Sequence, residues 1–107
     1  MKRPLLLLLV VGALAVPASA AIGAAAAPVN CGQLKAGGKT WKVTTVNVRC
    51  ADAKAVVRKL AAKPLPATGH YPGRYLGMGC LGGKKNGRLG IECGGKGGRL
   101  IVAYAVH

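Results

Sequence analysis

Acidic residues are almost missing from this chain: Asp52 and Glu92 are the only two in 107 residues, against 16 lysines and arginines. Phenylalanine is absent, the aromatic side chains being Trp41, Tyr71, Tyr75 and Tyr104, and the one serine is Ser19. Each shortage removes a class of chemistry. Asp52 stands where a helix start needs a capping carboxylate, so acid/base catalysis is left with Glu92 and the two histidines, His70 and His107. A Glu base and a His acid beside an arginine are what RNA cleavage by a small nuclease would require, but nothing in their spacing joins them. The chain therefore reads as non-enzymatic, with no catalytic residue. Few rings also mean little stacking, so any contact with nucleic acid is expected to be electrostatic and indifferent to sequence. The four cysteines, Cys31, Cys50, Cys80 and Cys93, lack the close pairs of a structural zinc site, and no metal or cofactor is expected. Gly38-Lys39-Thr40 imitates the end of a phosphate-binding loop. Gln33 stands where that motif needs glycine, and a strand pattern rather than a helix follows, so nucleotide hydrolysis is excluded as well.

Long apolar runs are confined to the start. Lys2 and Arg3 precede an unbroken apolar run from Leu5 to Val11 that continues through Ala15 and stops at Pro17-Ala18-Ser19-Ala20. A charged start, a short apolar middle and an Ala-x-Ala exit predict a secretory signal peptide over residues 1–20, cleaved after Ala20 and too short for a membrane anchor. Residues 21–30 are alanine-rich and read as a flexible leader. Residues 31–107 then form a single small domain, secreted and extracellular, whose cysteines are disulfide material in an oxidising compartment. So small a chain has a marginal core, and two disulfides at about 2 to 4 kcal/mol each are comparable to its whole expected stability. Loss of the signal removes Lys2 and Arg3 and leaves fourteen cations against two carboxylates, a net charge of +12. Such a field suits anionic polymer of the cell envelope, nucleic acid or an acidic protein, and also keeps a glycine-rich domain in solution.

The clearest element is a helix. Ala53, Val56, Val57, Leu60 and Ala61 recur at helical spacing, Asp52 opens the run and Pro64 stops it. Lys54, Arg58, Lys59 and Lys63 flank its outward side and are the candidate anion-binding residues. Ahead of it, Thr40 to Cys50 reads as a strand whose alternation slips at Thr44-Thr45, where a β-bulge would keep Trp41, Val43, Val46 and Val48 on one side. Pro64 to Gly73 reads as a loop. Three strands follow, around Leu76 to Cys80, around Leu89 to Cys93, and over Leu100 to Val106. Asn86-Gly87 is a two-residue hairpin signal that sets Cys80 opposite Cys93 and Gly82 opposite Ile91. The expected fold is α+β: one helix packed on a four-stranded antiparallel sheet in the order β-α-β-β-β, stapled by disulfides. Trp41 and Tyr104 are assigned to the core, and the loop-side Tyr71 and Tyr75 are the candidate stacking rings.

Four cysteines allow three connectivities. On this strand order a Cys50–Cys80 bond would clip the helix start to the sheet and Cys31–Cys93 would tie down the N-terminal segment, although the choice stays open. The hairpin register also places Gly77, Gly79, Gly83, Gly90 and Gly94 on the face away from the helix, where nearly bare backbone could accept the N-terminal segment, a second copy or an extended polymer.

Val48-Arg49-Cys50-Ala51-Asp52-Ala53-Lys54-Ala55-Val56, Gly77-Met78-Gly79-Cys80 and Ile91-Glu92-Cys93-Gly94-Gly95 together resemble a group of small secreted actinobacterial proteins. Those share V-x-C-x-x-A-x-x-V, G-aromatic-x-C and a third cysteine before a glycine turn. The likeness spans about residues 46–106, and Met78 departs from it where an aromatic is common. It implies export and a strand, helix, meander order, and assigns no site. The expected function is that of a secreted, basic, non-enzymatic domain that binds anionic envelope polymer or nucleic acid electrostatically. The alternative is a secreted inhibitor or protein-interaction module.

Overall fold

The computed structural model describes residues 26–106; the expected signal peptide, residues 21–25 of the expected leader, and His107 lie outside them, and the last two leader residues, Val29 and Asn30, are not loose but paired with Thr45 and Thr44 in a strand. Two hairpins, one helix and a last strand make up the chain: β1 (Val29–Ala36), β2 (Lys39–Val46), α1 (Cys50–Ala61), β3 (Gly79–Lys85), β4 (Arg88–Gly95) and β5 (Arg99–Ala105). The strands form one antiparallel sheet in the order β1-β2-β5-β4-β3. The fold is α+β as expected, but the sheet has five strands instead of four. The additional strand is β1, which pairs Val29 with Thr45 and Leu34 with Trp41. It is an edge strand that buries only Leu34, so its sequence has no apolar alternation to betray it.

The β1–β2 connection is Gly37-Gly38, with φ of 60° and 77°, the left-handed pair that a two-residue hairpin turn requires. Asn86-Gly87 does the same between β3 and β4, with φ of 55° and 76°. That turn fixes the expected register, Cys80 facing Cys93 and Gly82 facing Ile91.

The slip expected in β2 does not occur. Trp41, Val43 and Thr45 all point into the core, and pairing with β5 runs unbroken from Trp41–Ala105 to Val46–Leu100. The third inward position is a threonine, 1% exposed, with its Oγ1 3.7 Å from Cys31 Sγ. A polar residue at an inward position made the apolar alternation look shifted. Val46 faces the opposite side of the sheet, and Val48 packs against the core from the connection to α1. The irregularity lies in β1 instead, between Asn30 and Gln33, where Gly32 has φ 81° and its N–H donates to Asn30 Oδ1 at 2.8 Å.

Ala53, Val56, Val57 and Leu60 form the buried stripe of α1, at the spacing the sequence shows. Burying each of the larger side chains stabilises the fold by about 1.5 to 3 kcal/mol. The helix start differs from expectation. Arg49 is the N-cap and no side chain caps it, while Asp52, in the first turn, accepts a bond from Arg49 Nε at 3.0 Å. The helix closes at Ala61, so Lys63 lies two residues beyond it.

Helix α1 lies mainly over β1 and β2. The β3–β4 half of the inner face is covered by the segment 62–78, which brings in Tyr71 and Met78, 6% and 0% exposed. Residues 69–71 run along the outer edge of β3: Tyr71 N–H donates to the Cys80 carbonyl at 3.0 Å and Gly82 N–H to the Gly69 carbonyl at 2.9 Å. This covers an edge that would otherwise offer free backbone groups. The strand expected around Leu76 to Cys80 starts only at Gly79, as β3, and residues 75–78 before it form a tight turn. Tyr75 and Met78 exchange both backbone hydrogen bonds at 2.9 Å, and Leu76 sits at the tip with φ 54°.

The disulfides are Cys31–Cys50 and Cys80–Cys93, and no cysteine is free. The pairing suggested by the four-strand order, Cys50–Cys80 with Cys31–Cys93, is therefore wrong. Strand β1 explains the first bond, because antiparallel pairing returns Cys31 to the end of β2 from which α1 starts. The second joins direct cross-strand neighbours whose Cα atoms are 4.1 Å apart, the close-approach position of an antiparallel pair. Among the described residues no helix is long and apolar enough to cross a membrane.

Candidate anion-binding surface

Chain direction decides where the cations collect. The β1–β2 and β3–β4 turns lie at one end of the sheet and the β4–β5 turn, with Lys96 and Arg99, at the other, and α1, which leaves that other end of β2, runs back toward the first two. Gly37 in the first turn lies so close to Ala61 that a Cβ there would meet the Ala61 carbonyl. Lys35 and Lys39 flank the first turn, Lys84, Lys85 and Arg88 flank the second, and Lys63 follows the helix end. All six are exposed. Neither carboxylate lies at this end. Asp52 is at the far end of the helix in the ion pair with Arg49, and Glu92 is on the open face of the sheet.

The candidate residues Lys54, Arg58, Lys59 and Lys63 are less concentrated. Arg58, Lys59 and Lys63 are exposed, Lys54 is half-buried, and of the four only Lys63 reaches the basic end. The missed signal is in the sequence nonetheless. Lys35-Ala36-Gly37-Gly38-Lys39 and Lys84-Lys85-Asn86-Gly87-Arg88 are both glycine turns held between cations.

The face of the sheet away from α1 is uncovered by any described element. Cross-strand pairing orders it in rows. One row runs His70, Leu81, Glu92, Val102, Thr44; the next runs Gly83, Gly90, Tyr104, Lys42, Gln33; Lys85 and Arg88 stand in a third. Gly79 and Gly94 lie on this face as expected, whereas Gly77 belongs to the Leu76 turn. A groove of about 580 Å³ follows the rows, floored by Gly83 and Gly90 and walled by Leu81, Val102, Tyr104 and Arg88.

Tyr104 is not in the core: it alternates with the inward Ala103 and Ala105 and is 49% exposed on the open face. Tyr71 is not a free stacking ring: it is buried against Gly82, and burial, with a smaller contribution from Tyr75, raises its phenol above the usual 10.0. Tyr75 is half-buried, its hydroxyl donating to the Pro72 carbonyl at 3.4 Å. Trp41 is in the core as expected, its indole N–H donating to the Ala36 carbonyl at 3.0 Å.

Glu92 and His70 share a row with Leu81 between them, two strand spacings apart, or about 10 Å. The described residues hold no group of three or more His, Cys, Asp or Glu arranged to bind a metal. What the surface offers is charge, a ring and bare backbone. No family model, curated protein or solved structure matches the chain.

Proposed function

We propose that this is a secreted, non-enzymatic protein that holds anionic cell-envelope polymer at the basic end of its sheet. The observation that carries the reading is the gathering of Lys35, Lys39, Lys63, Lys84, Lys85 and Arg88 around two turns with no carboxylate among them. Exposed cations gathered on neighbouring hairpin tips act on a polyanion as a group, since each counterion released adds to the free energy of association. Nucleic acid would bind the same end without sequence preference.

The test compares two triple reversals for binding to polyphosphate across a salt series. Lys84→Glu/Lys85→Glu/Arg88→Glu is expected to weaken low-salt binding by at least tenfold and to flatten its salt dependence. The same change at Lys54, Arg58 and Lys59 should have a smaller effect. No low-salt binding by the unaltered protein, or equal loss from both variants, would overturn the assignment to this end.

A second reading, a protein-interaction module, is favoured by the Leu76 turn. Leu76 is 51% exposed in a left-handed conformation that a bulky side chain adopts at a cost. Arg99 Nη1 donates to its carbonyl at 2.6 Å and Arg74 Nη1 to that of Gly77 at 3.2 Å, which holds the tip in place. A stoichiometric complex with an acidic secreted protein, lost in Leu76→Asp, would move this reading to first place.

A further inference from the structure

The open face of the sheet differs from the basic end beside it in one respect: it contains a carboxylate. Glu92 stands in the groove between Leu81 and Val102 and makes no ion pair with a cation among the described residues. An ionised carboxylate only accepts hydrogen bonds, so a ligand lying along these rows must bring donors to it. One row away, on the adjacent strand, Tyr104 presents a half-exposed ring, with Gly90 on one side and Lys42 on the other. Diagonal neighbours of this kind lie about 7 to 8 Å apart. Gly83 and Gly90 leave the floor open, since a Cβ built on Gly83 meets nothing within 4 Å and one on Gly90 comes no nearer than 3.7 Å to its neighbours. Farther on, four residues from Glu92 along β4 and so about 13 Å away, Arg88 begins the cationic end with Lys85 opposite it.

We infer that this groove binds an acidic polysaccharide, with its sugar rings on the glycine floor against Tyr104, hydroxyl donors on Glu92 and anionic groups on Lys42, Lys85 and Arg88. The inference rests on the proposed binding of anionic polymer and names its chemical class. A bare polyphosphate would set its charge against Glu92 and has no donor to offer there. A neutral glycan would satisfy Glu92 and Tyr104 while leaving the cations unused. Only a chain with both hydroxyls and anions uses the whole groove. A second copy of this protein is a poorer occupant, because it would bring the same cations onto the same face.

The experiment measures affinity of the full chain for polygalacturonate, polyphosphate of matched charge and neutral dextran, at low and moderate salt. Polygalacturonate is expected to bind at least tenfold more tightly than polyphosphate at moderate salt, and dextran not detectably. Tyr104→Ala should remove most of that preference while leaving polyphosphate binding within twofold, and Glu92→Gln should reduce the preference and strengthen polyphosphate binding. Both side chains are exposed, so neither variant threatens folding. Equal affinity for the two polyanions, or an unchanged preference in Tyr104→Ala, overturns the groove assignment and leaves the basic end as the whole site. Loss of binding to both polyanions in the unaltered protein would instead sink the proposed function.

Discussion

Gly82 shows what a single methyl group would cost this core. It lies on β3 beneath Tyr71, and a Cβ there would fall 2.7 Å from the ring Cε2 and the hydroxyl oxygen. Tyr71 is itself held by the bond from its N–H to Cys80, so the ring has little room to retreat. Gly82→Ala is therefore expected to destabilise the protein by about 1 to 3 kcal/mol, the usual penalty of overpacking. In a Tyr71→Ala background the same substitution should cost clearly less, which denaturant unfolding of the double mutant checks. Tyr71 makes a second prediction. Its folded pKa is raised by burial, so the native state holds the phenolic proton to higher pH than the unfolded chain does. Its stabilising contribution is whole below the unfolded value near 10.0 and is lost as pH rises through that value toward the folded one. Tyr71→Phe should match the parent at pH 7 and lose less stability at pH 10.5, read as the shift in urea midpoint. Neither effect was legible in the sequence, where Tyr71 sits in a run of prolines and glycines and looks like loop. What buries it is the backbone pairing of residues 69–71 with β3, and no side-chain pattern records that.

At the level of elements, legibility followed how much of each element is buried. Helix α1 and the β3–β4 hairpin were readable because the helix stripe, the Asn86-Gly87 turn and the alternation through Ile91 and Cys93 are strong local signals. Strand β1 is not, since it buries one side chain, and the alternation of β2 looks shifted because Thr45 occupies a core position. The helix reading carries a direct test. Val57→Asp and Leu60→Asp place an unpaired charge where the parent side chains are fully buried, and each should unfold the protein. Lys59→Glu, on the solvated side, should leave thermal stability within a degree or two. The disulfides differ in what they join, the N-terminal hairpin to the helix in one case and two strands of one hairpin in the other, but they close similar loops, with separations of 19 and 13 residues. By loop closure each contributes about 3 kcal/mol. Cys31→Ala/Cys50→Ala is expected to lower the guanidinium midpoint by the corresponding amount without abolishing the sheet.

For the molecule as a whole, the cations could be counted from the sequence but their gathering could not, because it depends on β1 returning beside β2 and on α1 running back to the same end. The glycines of the open face are legible in the hairpin register, but Tyr104, its one exposed ring, has apolar sequence neighbours that point to the core. The arrangement of strands has a consequence for how the protein is assembled. Each disulfide closes within one half of the chain: Cys31–Cys50 belongs to the β1–β2–α1 half and Cys80–Cys93 to the β3–β4 hairpin. The only strand between those halves is β5, which is the last of the five to be synthesised. Each half can thus acquire its own covalent bond early and between near neighbours, while the two remain unjoined. Ile101→Asp, which charges the middle of β5 at a fully buried position, should yield a chain with both native disulfides formed and no cooperative unfolding transition. Oxidation would then run ahead of folding, and arrival of Arg99–Ala105 would be the event that turns two tethered fragments into a single sheet.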